Sequence, residues 1–335
     1  MIKEKNPLTI AMVTYNSREH VADCLKWFAD RPSDIWVRVR DNGSTDETPQ
    51  MLKRLESEGL IDELILAPDD PGFAIGANDV IRRSGNDDVI LMNPDARITL
   101  DTLELMRDAV AADPDLGAVS PVVSAGEEIT VMSAGRQPRL WPMITHYTGL
   151  SRLFPNVGFL RGRHLFLHLH AHQDQLVEWT SGCCLYVPRR TFDKVGLLSE
   201  RWFLYGEDTE FCKRICDAGL TIKILATARA YHEVGGSTAA HSDEKVIKEG
   251  SLQLDTVTAA AAATGMLPPP DVSTMWGRNL YDYYRTAYQP TALTSLAWRT
   301  TFTAGNVSRG LVRRWRDPQD PRAGHLTKNA LAVWH

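Results

Sequence analysis

The stretch Val89-Ile90-Leu91-Met92-Asn93-Pro94-Asp95 decides the fold. Four apolar residues followed by turn residues are typical of a buried strand that ends at a loop. Pro94 cannot continue a central strand, so Asp95 is expected at the end of a sheet, where α/β proteins bind ligands. A carboxylate oxygen there suits Mg²⁺ or Mn²⁺ carrying a diphosphate. The alternative is an Asp that only caps a helix starting near Thr102.

Strand and helix signals alternate around this stretch, which predicts an α/β fold with a mostly parallel, doubly wound sheet and flanking helices. The predicted strands are Thr9–Thr14, Ile35–Arg40, Glu63–Leu66, Val89–Met92 and Thr221–Leu225. The predicted helices are His20–Ala29, Pro49–Glu58, Phe73–Arg83, Leu103–Ala112, Arg189–Val195 and Asp208–Ala218. Residues 44–47 read as a capping box for the second helix.

Two domains are expected, an α/β domain over residues 1–240 and a helical extension over 241–335. Residues 124–174 are rich in Pro, Gly, Arg and His and form a long excursion within the first domain. The extension should begin with a helix over Glu244–Ala263 and a linker at Pro268–Pro270. Further helices are expected over Trp276–Tyr288 and Ala292–Trp315, and the aromatic residues of the first could pack on the core or form a homodimer contact.

The end of the last predicted helix is basic and amphipathic. It combines four arginines with apolar side chains, namely Arg309, Arg313, Arg314, Arg316, Leu311, Val312 and Trp315. Such a helix suits an anionic membrane surface, and the alternatives are a solvated face or a subunit interface. No run of about 18 apolar residues is present, so a membrane-spanning segment is not expected.

Overall composition narrows the class of protein. The chain has 335 residues, of which 43% are hydrophobic, and a net charge of −5, so a nucleic-acid partner is not expected. Its five cysteines are scattered without CxxC spacing, which fits neither a disulfide framework nor a zinc site. The N-terminus is too polar for a signal peptide. We therefore expect a protein of the reducing cytoplasm, with peripheral contact at the inner face of the cell membrane as an option.

Three further segments carry side chains suited to chemistry. Asp41, after the second strand, can accept the imide N–H of uracil or thymine, and Gly43 allows the tight turn that follows. Glu207 and Asp208 open a helix behind an aromatic segment that should exclude water and raise the proton affinity of Asp208, as a general base requires. His232 is expected on an exposed turn, from which it could join Asp95 as a metal ligand.

The ordered set of motifs resembles the family-2 inverting glycosyltransferases, and most closely their rhamnosyltransferase-like branch, which has Asn-Pro-Asp where other members have Asp-x-Asp. The resemblance covers about Leu8 to Gly236. It rests on Asp41-Asn42-Gly43-Ser44-Thr45-Asp46, Gly72-Phe73, Asn93-Pro94-Asp95, Ser181-Gly182-Cys183-Cys184-Leu185, Tyr205-Gly206-Glu207-Asp208 and His232. Asp70 departs from the branch, which usually has Asn at that position.

This resemblance implies a GT-A fold, a dTDP- or UDP-sugar donor and a divalent cation, Mg²⁺ or Mn²⁺. Asp208 would then be the catalytic base, while Glu207 orients the acceptor or supports the helix. Asp95 and His232 would hold the metal. Donor-binding residues would be Thr14, Asn16, Asp41, Gly43, Gly72, Phe73, Asn78, Asn93 and Asp95. Acceptor-binding residues would be Gly182, Trp202 and Tyr205, with the 124–174 excursion on the acceptor side.

The expected reaction is single-displacement transfer of a sugar, best L-rhamnose from dTDP-rhamnose, to a glycan or polyprenyl-diphosphate-linked acceptor. A UDP-hexose or UDP-N-acetylhexosamine donor is the alternative, followed by a non-catalytic nucleotide-sugar-binding subunit. A nucleotidyltransferase is disfavoured because residues 14–18 lack a Gly-rich basic loop. The histidines of 164–172 are expected to contact acceptor or to form a polar loop rather than to bind metal.

Overall fold

The computed structural model describes residues 5–124, 131–232 and 272–334. It contains thirteen described strands: β1 Leu8–Thr14, β2 Ile35–Asn42, β3 Glu63–Ala67, β4 Asp88–Met92, β5 Ala96–Ile98, β6 Leu116–Ser124, β7 Val131–Met132, β8 Ala134–Gly135, β9 Leu165–Phe166, β10 Gln175–Val177, β11 Trp179–Thr180, β12 Cys184–Val187 and β13 Thr221–His232. The described α-helices are α1 Arg18–Leu25, α2 Thr48–Ser57, α3 Phe73–Arg83, α4 Leu100–Ala112, α5 Leu140–Tyr147, α6 Leu150–Leu153, α7 Leu167–His170, α8 Arg189–Val195, α9 Glu207–Asp217, α10 Val272–Tyr288, α11 Ala292–Arg316 and α12 Pro321–Ala332.

One large sheet organises the α/β part. Its strand order is β10-β13-β6-β12-β4-β1-β2-β3, and β5 pairs with the far end of β13. β1, β2, β3 and β4 run parallel, whereas β12 is antiparallel to both β4 and β6. The predicted mostly parallel sheet is confirmed, and the carboxyl ends of β1, β2 and β4 open on the same edge.

The sheet is buried on both faces, and this explains its apolar strands. Along β1, Leu8, Ile10 and Met12 join one core cluster while Ala11 joins the other. Successive side chains of a strand point to opposite faces, so a continuous apolar run is needed where helices cover both sides. The run at β4 has the same cause, since all five of its residues are buried.

Two features of β13 depart from the sequence prediction. The strand was expected to stop at Leu225 but continues to His232, where it pairs with β5. It also runs parallel to β6, which the sequence did not predict because Pro121 interrupts that apolar run. The register of the pair shifts immediately after Leu225, opposite Pro121, as expected where a proline cannot donate to the ladder.

The predicted capping box at residues 44–47 is wrong. α2 begins at Thr48 with Glu47 as its N-cap, and no side chain caps it there. The Ser44 hydroxyl instead donates to Oδ1 of Asp41 at 2.5 Å and accepts from the backbone N–H of Asn16 at 2.8 Å. A polar side chain near a helix start can bind other loops, and here it joins the ends of two strands.

The C-terminal helical extension is confirmed, and it packs on its own α/β part. Trp298 of α11 donates its indole N–H to the Pro138 carbonyl at 2.7 Å, and its ring stacks on Phe302. In the basic part of α11, Arg309 contacts His146, while Trp315 remains 85% exposed. The predicted helix over residues 244–263 and the proline linker lie outside the described residues. Within the described ranges, no helix is long and apolar enough to cross a bilayer.

Candidate active site

Asp95 and His232 meet at the edge of the large sheet. Asp95 is 3% exposed, and its Oδ1 lies 3.1 Å from Nε2 of His232. The pairing of β5 with β13 causes this contact, because it aligns Ala96 with His232. The expectation that His232 lies on an exposed turn is therefore wrong, since it belongs to a strand and its side chain is 18% exposed.

This pair fits a divalent cation of the expected size. Adjacent ligands of an octahedral ion with bonds of 2.0–2.1 Å are about 3 Å apart, which matches the observed separation of 3.1 Å. A carboxylate oxygen and an imidazole nitrogen suit Mn²⁺, and the carboxylate suits Mg²⁺. Among the described residues, no group of three or more His, Cys, Asp or Glu side chains could hold a metal. The remaining ligands would have to come from a diphosphate or water.

The turn at Gly182 and Cys183 joins the Asp95 loop to Asp208. The Cys183 carbonyl accepts from the backbone N–H of Asn93 at 3.0 Å. On the other side, the backbone of Gly182 hydrogen-bonds to the carboxylate of Asp208. Burial, together with Asp95 and Asp208, raises the pKa of the Cys183 thiol to about 12, so it stays protonated. The sequence motifs around these four residues thus converge on one place.

A buried arginine holds the helix turn that carries Asp208. Oδ1 of Asp208 accepts from the backbone N–H of Thr209 at 2.6 Å and from its hydroxyl at 3.2 Å. The same hydroxyl accepts from Nη2 of Arg163 at 3.1 Å. Arg163 is 2% exposed, and its guanidinium stacks 3.3 Å from the centre of the Trp179 ring. Burial raises the pKa of Asp208, and Arg163 opposes that rise.

Glu207 has a different environment from its neighbour. It is 5% exposed, and its Oε2 is buried with no hydrogen-bond partner among the described residues. Burial, and then the charge of Asp208, raise the pKa of Glu207. Asp208 is half-buried and reaches the Gly182 turn, so it is the better placed of the two for proton transfer.

Predicted donor-binding residues gather at the ends of β1 and β2. Asp41 is 1% exposed, and its carboxylate accepts from the Thr14 hydroxyl at 2.9 Å and from the Ser44 backbone N–H at 2.9 Å. Oδ1 of Asn16 accepts from the backbone N–H of Thr45 at 2.8 Å. Gly43 has a φ of +68°, and a Cβ there would lie 3.0 Å from the backbone of residue 69. These bonds fix one loop shape; whether Asp41 reads a base stays a prediction.

The Gly72-Phe73 loop packs against the aromatic segment before Asp208. The backbone N–H of Phe73 donates to the Phe203 carbonyl at 2.9 Å. Gly72 has a φ of +95°, and a Cβ there would lie 2.5 Å from that carbonyl oxygen. Oδ1 of Asp70 accepts from Asn42 at 2.9 Å and from the Gly72 N–H at 3.0 Å. Asp70 therefore orders this loop although it departs from the usual Asn.

Two predicted site residues have contacts that favour a supporting role. Asn78 is 1% exposed and binds the 198–200 loop through Leu198 and Glu200. Trp202 is 2% exposed, and its indole N–H donates to Oδ2 of Asp282 at 3.0 Å. These internal bonds favour a structural role over donor or acceptor contact. Tyr205, with a φ of 66°, is half-buried, and its predicted role remains open.

Helix α10 supports the aromatic segment that precedes Glu207 and Asp208. Asp282 accepts from Arg201 at 2.7 and 3.1 Å, and Asn279 donates to the Leu204 carbonyl at 2.7 Å. Burial opposes ionisation of Asp282, but the Arg201 and Trp202 bonds prevail and lower its pKa.

Sequence reasoning missed Asp282 and Arg163 altogether. Neither lies in a recognisable motif. The signal for Arg163 was the richness of the 124–174 excursion in arginine, and that for Asp282 was its place in the predicted aromatic helix Trp276–Tyr288.

The histidines of that excursion differ in burial: His168 and His172 are exposed, His164 is half-buried and His170 is buried. His164 packs on Trp179 and donates from Nδ1 to the Met132 carbonyl at 3.1 Å. Burial, and then Arg163, lower its pKa to about 3. His170 is 7% exposed and accepts from the Phe166 N–H at 3.0 Å. Neither is arranged as a metal ligand with a carboxylate among the described residues.

The fold is that of the GT-A glycosyltransferases. The model of the family described as "Glycosyl transferase family 2" matches residues 9–174, and this part of the chain is a domain of that family. It is a glycosyltransferase. The family resemblance stated from the sequence motifs is thereby confirmed.

Two curated relatives and two solved structures are similar to the chain. The N-acetylglucosaminyl-diphospho-decaprenol L-rhamnosyltransferase of Mycobacterium tuberculosis is 27% identical over 260 residues, which are 69% of this chain and 77% of the relative. The low-salt glycan biosynthesis hexosyltransferase Agl10 of Haloferax volcanii is 24% identical over 229 residues, 67% of this chain and 66% of the relative.

The solved structures support the fold alone. The mannosyltransferase PcManGT from Pyrobaculum calidifontis, in complex with GDP-Man and Mn²⁺, has a TM-score of 0.52 at 20% identity and covers 99% of this chain and 88% of its own. GalNAc-T7 with UDP, GalNAc and Mn²⁺ has a TM-score of 0.51 at 11% identity, covering 69% of this chain and 44% of its own.

Proposed function

We propose that this glycosyltransferase moves L-rhamnose from dTDP-rhamnose to a hydroxyl of a glycan or polyprenyl-diphosphate-linked acceptor, with inversion at the anomeric carbon. The observation that carries the proposal is the Gly182-Cys183 turn, which contacts the Asp95 loop on one side and Asp208 on the other. The rhamnosyltransferase of Mycobacterium tuberculosis supports this choice of sugar and acceptor, by its name and its 27% identity.

In this proposal the donor lies across the ends of β1, β2 and β4. Asp41 reads the pyrimidine edge, and Thr14, Asn16 and Gly43 shape the base pocket. Gly72 and Phe73 contact the donor between the base and the sugar. The hydrogen bonds among these loops support the assignment because they hold a ready-made surface that needs little reordering on binding.

Asp95 and His232 would hold Mg²⁺ or Mn²⁺ between the protein and the diphosphate. When bound, the ion would neutralise charge on the departing nucleoside diphosphate. Asn93 lies beside this pair, and its side-chain amide is 3.4 Å from Nε2 of His232. Because Nε2 has one lone pair, a bound ion would take the place of this contact with the Asn93 amide.

Asp208 is the general base in the proposed displacement. It takes the proton of the acceptor hydroxyl while that oxygen bonds to the anomeric carbon, and the bond from that carbon to the diphosphate breaks. The bonds from Thr209 and Gly182 aim the carboxylate, and burial raises its pKa toward the range useful for a base. Glu207, whose pKa is also raised, orients the acceptor or supports the helix.

The proposal includes peripheral contact with the inner face of the cell membrane through the end of α11. Leu311, Val312 and Trp315 are 63%, 49% and 85% exposed. Arg309 and Arg313 face His146 and Asp320, so Arg314 and Arg316 would supply most of the charge.

Thermal stabilisation by nucleoside diphosphates, with and without Mn²⁺, tests the proposal. At about 100 times Kd a ligand adds about 2.7 kcal/mol of stability, which raises Tm by several degrees. We expect this effect from dTDP only with Mn²⁺, and we expect Asp95→Ala to lose it. Asp101→Ala, an exposed carboxylate of α4, is the matched control that should keep it.

The pattern of response separates the possible donors. A stronger response to UDP than to dTDP would replace rhamnose with a hexose or N-acetylhexosamine. Absence of any response to nucleoside diphosphates would contradict the proposed donor site. Transfer of rhamnose from dTDP-rhamnose to a lipid-linked acceptor, lost in Asp208→Asn with nucleotide binding intact, would establish the base.

A further inference from the structure

A cavity of about 240 Å³ lies in the part of the fold formed by the 124–174 excursion. Its lining residues have no role in the donor site or in the proposed displacement. They come from β8 and the residue after it, from the segment before β9, and from β10 and the residue after it: Gly135, Arg136, Arg161, Leu165, Leu176, Val177 and Glu178.

The cavity wall carries more positive than negative charge. Glu178 accepts from Arg136 at 2.7 Å and from Arg139 at 2.6 Å, so a single carboxylate is ion-paired with two guanidiniums. Arg161 donates to the amide oxygen of Gln175 at 2.9 Å, and no carboxylate of the described residues lies within ion-pair distance of it. Burial, and then Arg136, lower the pKa of Arg161, which remains cationic. The lining therefore holds two arginines and one carboxylate, which Arg139 outside the lining also pairs with, and this excess of positive charge favours an anionic ligand.

The mouth of the cavity continues into an exposed apolar loop. Arg136 also donates to the Gly158 carbonyl at 3.4 Å, and the next residue, Phe159, is 73% exposed. Trp141 packs on Phe159 with ring centres 5.0 Å apart. Leu176, which lines the cavity, is 59% exposed. The same loop exposes Leu153, Phe154 and Val157. Apolar exposure of this extent beside a cationic cavity is typical of a binding surface.

The cavity is connected to the catalytic base by two short paths. The side-chain amide of Gln137 donates to the carbonyl of Glu178 at 2.8 Å and to that of Thr209 at 3.1 Å. Thr209 directly follows Asp208. In addition, Arg161 is two residues from Arg163, which binds the Thr209 hydroxyl. The wall of the cavity is thus joined to Thr209, the residue after Asp208, by the side chain of Gln137 on one path and by that of Arg163 on the other.

We propose that the cavity and its apolar rim bind the isoprenyl diphosphate part of a lipid-linked acceptor, with the diphosphate at Arg136 and Arg161 and the first isoprene units against Leu176 and Phe159. This inference rests on the proposed function, because it takes from that function a lipid-linked acceptor whose sugar is delivered to Asp208. The charge excess matches the diphosphate, and the exposed loop matches the hydrocarbon. Neither feature alone would select an amphiphile.

Binding of farnesyl diphosphate to the full chain tests the inference. Isothermal titration is done without nucleotide and in EDTA, so that the Asp95–His232 pair cannot hold a metal that recruits the probe. We expect Arg161→Gln to weaken binding about tenfold or more, because one charge-assisted hydrogen bond is lost. Phe159→Ser should weaken farnesyl diphosphate but not inorganic pyrophosphate. Arg54→Gln, an exposed arginine of α2 paired only with Glu58, should bind as the wild type does.

Several results would overturn the inference. Equal affinity of wild type and Arg161→Gln would exclude the cavity, and equal affinity for pyrophosphate and farnesyl diphosphate would exclude the apolar rim. Displacement of the probe by phosphatidylglycerol vesicles, but not by soluble isoprenyl diphosphates, would assign the surface to bilayer headgroups instead. Thermal stabilisation by dTDP and Mn²⁺, measured on the same protein preparations without EDTA, separates the two hypotheses. If it persists while farnesyl diphosphate fails to bind, this inference fails and the proposed donor site stands.

Discussion

Replacing Arg163 with Met should shift the pH dependence of catalysis, because Arg163 is a buried cation bound to the Thr209 hydroxyl, which itself donates to Asp208. Its guanidinium reaches Asp208 through the Thr209 hydroxyl, at 3.1 and then 3.2 Å. Methionine keeps most of the apolar volume over Trp179 and removes only the charge and its hydrogen bonds. Since the positive charge opposes the burial that raises the pKa of Asp208, its loss should raise that pKa further.

The size of the effect follows from the distance. The guanidinium and the carboxylate are about 6 Å apart, and with an effective dielectric constant of about 20 their attraction is roughly 3 kcal/mol. Because 1.4 kcal/mol is a factor of ten, the acidic limb of kcat/KM should move upward by as much as about two pH units. The base is active when deprotonated, so the variant should lose activity near neutral pH and regain it in alkaline solution.

The assay is kcat/KM for sugar transfer between pH 5 and 10, which reports ionisations of the free enzyme. Arg163→Lys keeps a cation and should retain most of the wild-type profile. Thermal unfolding of each variant shows whether the fold is intact. A loss of activity by the same factor at every pH would refute the electrostatic reasoning and leave Arg163 a purely structural role.

Three further predictions concern the surroundings of the site. Gly72→Ala should destabilise the protein by about 1–3 kcal/mol and abolish transfer, because its φ of +95° and its close contact with the Phe203 carbonyl both exclude a Cβ. The control is Gly59→Ala, where φ is +75° but the space around the residue is open. It should destabilise the protein by about 1 kcal/mol and leave transfer intact. Asp282→Asn should weaken the anchor of the aromatic segment, so kcat should fall. The loss of stability in acid, below the ordinary carboxyl pKa of 3.8, should also become shallower, since a carboxyl with a lowered pKa loses its contribution as the pH falls through its folded-state pKa. The pKa of His164 is lowered to about 3, so between about pH 3 and 6.5 the unfolded chain binds a proton that the folded chain does not. The free energy of unfolding should therefore fall as the pH falls through that window, by as much as about 1.4 kcal/mol per pH unit. Urea unfolding at pH 7 and at pH 5 should show a smaller difference in His164→Gln than in the wild type.

The candidate site shows where sequence reasoning was sufficient and where it was not. Asp95 and Asp208 could be selected locally, one from a strand that stops at a proline and the other from carboxylates at a helix start behind aromatic residues. Trp202 had the same local appearance as a ligand contact, yet its indole is used by Asp282 of α10. Arg163 had no local signal, because its importance comes from burial beside Thr209 and not from its neighbours in the chain.

By itself, the sequence determined the alternation of strands and helices, the double burial of the sheet and the order of the family motifs, because each of these is a property of neighbouring residues. Only the tertiary structure decided that β13 extends to His232 and places its ring beside Asp95. The hydrogen bonds that extend the strand come from its pairing with β5, which cannot be predicted from the local sequence. It also decided that α10 packs against the segment before Asp208, and that an excess of arginine collects at one cavity. Such contacts join residues distant in sequence, so their free energy is absent from any local pattern.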